Sequence, residues 1–278
     1  MPVATQDTGA RPTRADVDVF GLTHVGHVRV ANEDHYLVAT LHKMLQVERT
    51  SLPAEQVEGF TSGARGYLFL VADGVGGLVG GDRASGAALR AVARYVTSAT
   101  TCWYDVSSAE GPELLRELQK AVLDAHDHLL EQESGTATTL TMVFVTWPRA
   151  YVVHVGDSRC YRLRAGKLEL LTTDQTIAQA MVEAGVMTQA DADRTQWKHV
   201  LASALGGQEA TPATFMTDCR WDDVMLLCTD GLTKHVSDDE IAAALQRAQS
   251  SEETCKSLVD LALERGGTDN ITVVCGRL

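Results

Sequence analysis

Three apolar runs in this chain stop at an aspartate, and two others begin just after a carboxylate. Asp73 follows "LFLVA", Asp157 follows "YVVHVG" and Asp230 follows "MLLCT"; each is succeeded by a small residue, Gly74, Ser158 or Gly231. Asp269 stands just ahead of "NITVVCGRL", and Glu33-Asp34 just ahead of "HYLVATL". Taken singly, an aspartate after a strand is an ordinary turn former or helix N-cap. The repetition of one placement points to a shared rim. Carboxylates gathered on one rim repel one another unless cations neutralise them. An all-oxygen ligand set of this kind selects hard ions such as Mg²⁺ or Mn²⁺.

Two further features sit beside these acids. Five glycines fall between positions 74 and 81. They do not make a dinucleotide loop, because Val79 occupies the third glycine position. They do not make a P-loop either, because Asp82 follows Gly81 where a lysine is needed. One reading is a flexible turn before a helix; the other is bare backbone that lets the Gly74 carbonyl reach a cation. Arg29 lies four residues before Glu33. Its planar fork suits a phosphate next to a metal pair, and its plain alternative is a surface arginine.

The elements that position these groups can be read from periodicity. Runs such as "VDVFGLTHV", "HYLVATL", "YLFLVA", "TTLTMVFVTW", "AYVVHVG", "VMLLCT" and "ITVVCGRL" are rich in residues that strands prefer. "CYRLRAGKLELL" reads as a hairpin turning at Ala165-Gly166. Helical spacing covers "GDRASGAALRAVARYVTSAT", "GPELLRELQKAVLDAHDHLLEQE", "TIAQAMVEAG", "IAAALQRA" after a Ser237/Glu240 capping box, and "SEETCKSLVDLALERGG". The order lacks the strict strand–helix alternation of a doubly wound sheet. It predicts an α+β fold of four layers, αββα: two antiparallel sheets packed as a sandwich and flanked by helix pairs. Antiparallel neighbours bring the C-terminal end of one strand beside the N-terminal end of the next. Asp230 and Asp269 then share a rim, and so do Glu33, Asp34 and Asp73.

Residues 1–16 read as a polar, flexible leader, and 17–278 as a single domain. The net charge of −13 over 278 residues opposes general binding to nucleic acid. Six cysteines without CxxC or zinc-finger spacing read as buried free thiols in a reducing compartment. No apolar run approaches the ~20 residues that span a bilayer. A cytoplasmic monomer is expected.

The segments "RVANED", "ADGVGG", "GTATTLTMVFV", "HVGDSRCYRLRAGKL", "LLCTDGLT" and "GGTDNITVV" resemble, in order and spacing, those of the metal-dependent PPM/PP2C protein phosphatases, the bacterial ones above all. The resemblance runs from about Phe20 to Leu278. It implies hydrolysis of phosphoserine and phosphothreonine in proteins by water that two Mn²⁺ or Mg²⁺ ions activate for in-line attack. By matching position, Asp73 bridges the two ions. Glu33 and the Gly74 carbonyl serve one, and Asp230 and Asp269 hold the other. Asp157 matches a contributor to a third, weaker metal site. Asp34 orients metal-bound water, Arg29 binds the substrate phosphate, and Asn270 supports the Asp269 loop. Phosphorylated proteins and a cognate Ser/Thr kinase are the implied partners.

Departures from the family pattern are local. Val75 stands where animal members carry a histidine. Lys234 stands where an aspartate often helps the third metal, and His235 beside it is either a proton donor or a plain loop histidine. In the flap, about residues 173–206, Gln175 and Ser203 replace a common His and Arg, which predicts a different reading of substrates. The stretch 42–66 is long for a hairpin and reads as an extra loop near the active rim. Two other functions stay open: a pseudophosphatase acting as a regulatory binding module, and a two-metal hydrolase of small phosphoesters.

Overall fold

The computed structural model describes residues 12–44, 61–75, 80–99, 111–132 and 135–278. Among the described residues eleven strands form two antiparallel sheets. The first sheet runs in the order β1 (Asp18–His24), β11 (Ile271–Arg277), β10 (Val224–Cys228), β7 (Arg159–Arg164), β8 (Lys167–Leu170). The second runs β2 (Asp34–Met44), β3 (Thr61–Val75), β5 (Leu140–Thr146), β6 (Arg149–Val155), β9 (Ala213–Asp218), with the short β4 (Ala137–Thr138) also on β3.

Side-chain alternation along β3 explains the layering. Leu68, Leu70 and Ala72 face the helices α1 (Gly81–Ala99) and α2 (Gly111–Gln132), where Val92, Leu118 and Val122 meet them. Tyr67, Phe69 and Val71 face the other way and pack with Val143, Met225, Leu227 and Val274 between the sheets. A strand buried on both faces needs no polar alternation, so "YLFLVA" is continuous in sequence. The first sheet is covered in turn by α6 (Asp238–Arg247) and α7 (Ser251–Glu264), with Ile241, Leu245, Leu258 and Val259 on Leu226, Val273 and Cys275. The four-layer αββα expectation therefore holds.

Local signals also hold. Ala165 (φ 48°) and Gly166 (φ 78°) turn the β7–β8 hairpin, as a two-residue primed turn requires. Ser237 and Glu240 form their capping box at α6. Strand β9 was not visible in the sequence. It borders only β6 and is at most partly buried, so its apolar alternation is weak.

Met44 pairs with Thr61 ten residues along the β2 ladder from the Asp34–Asp73 pair. The stretch 42–66 is thus strand at both ends, and its flanks stand at the end of the ladder remote from Asp34 and Asp73. Residues 45–60 of the expected loop, and residues 1–11 of the expected leader, lie outside the described residues. Among the described residues no helix is long and apolar enough to cross a membrane.

Candidate metal centre

The register of the strands delivers the acids to one end of the sandwich. Asp34 opens β2 and pairs directly with Asp73 near the end of β3. Cys228 of β10 pairs with Val273 of β11, and Thr229 N–H donates to Thr272 O, so Asp230 follows β10 beside the turn that carries Asp269 into β11. Arg29, Asp73, Gly74, Val75, Asp157, Asp230, Lys234 and Asp269 line one open cavity of about 250 Å³. A second cavity of about 320 Å³ adjoins it, sharing Asp157, Asp230, Lys234 and His199.

Asp34, the ladder partner of Asp73, lines neither cavity and is 3% exposed. Its Oδ2 accepts hydrogen bonds from Thr229 Oγ1 (2.8 Å) and Thr272 Oγ1 (2.7 Å). Its Oδ1 is buried with no hydrogen-bond partner among the described residues. Burial pushes this carboxyl up to about 7; the two threonine hydroxyls oppose the shift, and Asp230 and Asp269 add to it. Burial likewise holds Asp73 well above the usual carboxylate range, with Asp34 and Asp230 adding to the effect. Asp157 rises to about 7 by burial and by the charges of Asp230 and Asp174. Asp269 goes the other way. Burial would raise it, but hydrogen bonds from Arg29 and Lys234 hold it low.

Glu33 is not among the residues that line either cavity. Its carboxylate accepts from the Gly81 N–H at the start of α1, although burial still leaves its pKa raised. Ser85 of α1 fixes the backbone here by donating to Glu33 O at 2.6 Å. Asn270 holds more than its own turn. Its side-chain amide donates to Val25 O and Ala31 O at 2.9 Å each, and its Oδ1 accepts from Glu33 N–H at 2.8 Å. It thereby staples the loop that carries Arg29 and Glu33.

Close backbone approach explains the glycine after the strand. A Cβ on Gly74 would stand 2.4 Å from the backbone of Gly81 and 2.8 Å from Glu33 O. Gly231 is equally confined, since its Cβ would fall 1.9 Å from Asn270 O. Residues 76–79 lie outside the described residues.

In this arrangement side chains supply the countercharge. Lys234 Nζ is 2.6 Å from Asp230 Oδ2 and 2.6 Å from Asp269 Oδ2. Arg29 contacts Asp269 through Nε at 2.7 Å. Among the described residues no three acidic, histidine or cysteine side chains close on a single point. The donor set still fits a hard cation: all its side-chain groups are carboxylates, and Asp34 Oδ1 and Asp230 Oδ1 are buried acceptors without a donor.

The remaining candidates sort by geometry. His235 lines neither cavity. Its Nε2 accepts from Thr268 N–H at 3.0 Å, so it is a loop histidine that braces the Asp269 turn. Gln175 and Ser203 also line neither cavity, so any effect of theirs on how the flap reads substrates is indirect. Gln175 Oε1 accepts from Gly156 N–H and its Nε2 donates to Thr211 O, while Ser203 Oγ accepts from Thr211 N–H. Both pin the base of the flap. The flap itself folds as α3 (Ile177–Glu183), α4 (Gln189–Ala192) and a 3₁₀ turn over Gln196–His199. His199 on that turn reaches both cavities. A single histidine in a polar loop gave no sequence signal. The five described cysteines are buried, and burial raises every one of their thiols, so none is a ready thiolate; Cys102 lies outside the described residues.

Known proteins share this architecture. A family model described as protein phosphatase 2C matches residues 54–264. The chain is 35% identical over 233 residues to the serine/threonine protein phosphatase PstP of Mycobacterium tuberculosis, covering 82% of this chain and 43% of that protein. It is 30% identical to the serine/threonine phosphatase stp of Listeria monocytogenes, covering 74% of this chain and 82% of that one. The chain thus spans less than half the length of its mycobacterial relative. The crystal structure of M. tuberculosis PstP/Ppp superposes with a TM-score of 0.73 at 32% identity, over 94% of this chain and 98% of that one. The PstP catalytic domain in complex with two manganese ions gives 0.70 at 31% identity, over 94% and 97%. With the matched segment covering most of the sequence and the same sandwich beneath it, this chain belongs to the protein phosphatase 2C family.

Proposed function

We propose that this chain hydrolyses phosphoserine and phosphothreonine in proteins at the cavity lined by Asp73, Asp157, Asp230, Asp269 and Arg29. The observation that carries the reading is the convergence of four aspartates with an arginine fork on one cavity, with buried Asp34 paired to Asp73 in the β2–β3 ladder. The names of the mycobacterial and listerial relatives supply the substrate class. An intact set of acids favours an enzyme over a regulatory module on the same fold.

Asp73 is the residue suited to lie between two Mn²⁺ or Mg²⁺ ions, Glu33 and the Gly74 carbonyl to serve one, and Asp230 and Asp269 the other, with Asp157 at a weaker third position. Bound there, such ions supply countercharge for the phosphoryl oxygens and a water acidic enough to attack phosphorus. Arg29 binds the phosphate through its planar fork and fixes it for in-line displacement. Asp34 accepts a proton at Oδ1, because Oδ2 is already committed to Thr229 and Thr272. Those two hydroxyls orient the carboxylate, and its burial keeps it receptive near neutral pH. Burial of the cysteine thiols is consistent with direct attack by water rather than a covalent phosphoenzyme.

The protein acts in this reading as a cytoplasmic monomer that opposes a Ser/Thr kinase. The test is phosphate release from a phosphothreonine peptide and from p-nitrophenyl phosphate as Mn²⁺ is added. Manganese-dependent turnover that favours the peptide is the expected result. Turnover of neither substrate sinks the enzymatic reading, and preference for small esters sinks the protein substrate.

A further inference from the structure

Lys234 closes the one-turn helix α5 (Asp230–Thr233) as its C-cap residue. One helical turn separates it from Asp230, which places its ammonium 2.6 Å from Asp230 Oδ2. The same ammonium reaches across to the turn before β11 and lies 2.6 Å from Asp269 Oδ2. Only 24% of the side chain is exposed. The contact therefore spans two separate elements and is partly shielded from water, where ion pairs count for more than on an open surface.

The carboxylates Lys234 joins are the pair that the proposed function gives to the second cation, so this inference rests on that reading. An ammonium occupies the space between two carboxylate oxygens and cannot share it with a divalent ion. The two cations are also unequal. The ammonium brings a single charge and up to three N–H donors, whereas Mn²⁺ or Mg²⁺ brings two charges and demands several oxygen ligands. Asp230 Oδ1 is a buried acceptor that the ammonium leaves unpartnered. Among the described residues Lys234 pairs with Asp230 and Asp269 and not with Asp73 or Glu33, the side chains of the first position. A displaced ammonium has somewhere to go. Lys234 also lines the larger cavity, where Asp174 is already paired with Arg159 but Asp157 and Asp193 stand on the wall.

We infer that Lys234 is an internal competitor for the second cation position: its ammonium holds Asp230 and Asp269 until a divalent ion displaces it into the larger cavity. Metal loading of this chain is then one addition followed by one exchange. The two positions fill at well separated metal concentrations, and Lys234 sets the gap.

The experiment is a Mn²⁺ titration of the full chain by calorimetry, with free Mn²⁺ counted in parallel by its electron paramagnetic resonance signal. Wild type is expected to give a tighter and a weaker step. Lys234→Met should tighten the weaker step by about tenfold or more and leave the tighter one in place. Lys234→Arg, which keeps the charge, should retain the weak step. Melting in EDTA adds a readout independent of turnover. There Lys234→Met should melt below wild type, because two neighbouring carboxylates lose their shared counterion, and should gain more from added Mn²⁺. A weaker step that Lys234→Met leaves unchanged, or a second step absent from both proteins, overturns the proposal. Asp73→Asn separates the two readings. If that variant binds Mn²⁺ as wild type does, the metal centre itself is wrongly assigned, whatever Lys234 does.

Discussion

The guanidinium of Arg29 grips the carboxylate of Asp269 with two arms, Nε 2.7 Å from Oδ1 and Nη2 3.0 Å from Oδ2. The partners are 240 residues apart in sequence. The fork proposed for substrate phosphate is thus held in advance by an acid of the same cavity. A phosphate must compete with Asp269 for it.

Replacing Arg29 by lysine keeps the charge and removes the fork. The expected outcome is a fall of about 10- to 100-fold in kcat/KM on a phosphothreonine peptide, carried mainly by KM. Steady-state kinetics on Arg29→Lys and Arg29→Ala check this. A lysine variant with wild-type kcat/KM counts against phosphate binding by the fork.

Asp34→Asn separates chemistry from stability. The amide keeps an oxygen for the hydroxyls of Thr229 and Thr272 but is no base. Turnover should drop by about 100-fold or more, in line with loss of a general base. The metal-free melting temperature should hold or rise, because a buried carboxyl with an unpartnered oxygen has been neutralised. A kcat within a few-fold of wild type removes Asp34 from the proton path.

Gly74→Ala tests the close approach of backbone to backbone. Its Cβ would meet Gly81 at 2.4 Å, and no flexible side chain is there to yield. The expected cost is about 1–3 kcal/mol, read as a lower denaturant midpoint. Manganese affinity should fall with it, since the shift moves the Gly74 carbonyl and the start of α1 that holds Glu33.

His154 gives the acid limb of stability. It is buried, with its ring between Thr141 Oγ1 and Thr173 O, and burial pushes its pKa down from 6.5 to about 4. The unfolded chain binds the extra proton between those values, so the contribution of neutral His154 is complete above 6.5 and is lost as pH falls toward 4. Over that window the loss is on the order of 3 kcal/mol. Asp34 and Asp157, both raised to about 7, contribute the opposite slope. The difference in unfolding free energy between wild type and His154→Gln, followed from pH 7 to 4, therefore isolates the histidine. The gap between the two proteins should narrow as the acid end is reached; a gap independent of pH refutes the assignment.

Much of the candidate site is legible in the sequence because strands are local and their ends are marked. Asp73 after "YLFLVA" and Asp269 before "NITVV" each declare a strand end, and antiparallel pairing does the rest. What escaped was long-range. Nothing near Thr229 or Thr272 in sequence says that their hydroxyls cradle Asp34, some two hundred residues away. Lys234 was visible only as a departure from a pattern, and its grip on Asp269 depends on a turn packed from another element. Gln175 and Ser203 stood out only as departures in the flap, and nothing near them in sequence says that both meet Thr211 at its foot. β9 was hidden because a half-covered border strand has little reason to alternate sharply.

The β2–β3 ladder has its two acids at one end and the Met44–Thr61 pair at the other. Ten residues of extended chain put roughly 33 Å between them. A fluorophore or an affinity handle attached at the Met44–Thr61 end of the ladder therefore stands a full strand length from the acids, and reports on the fold without touching the chemistry.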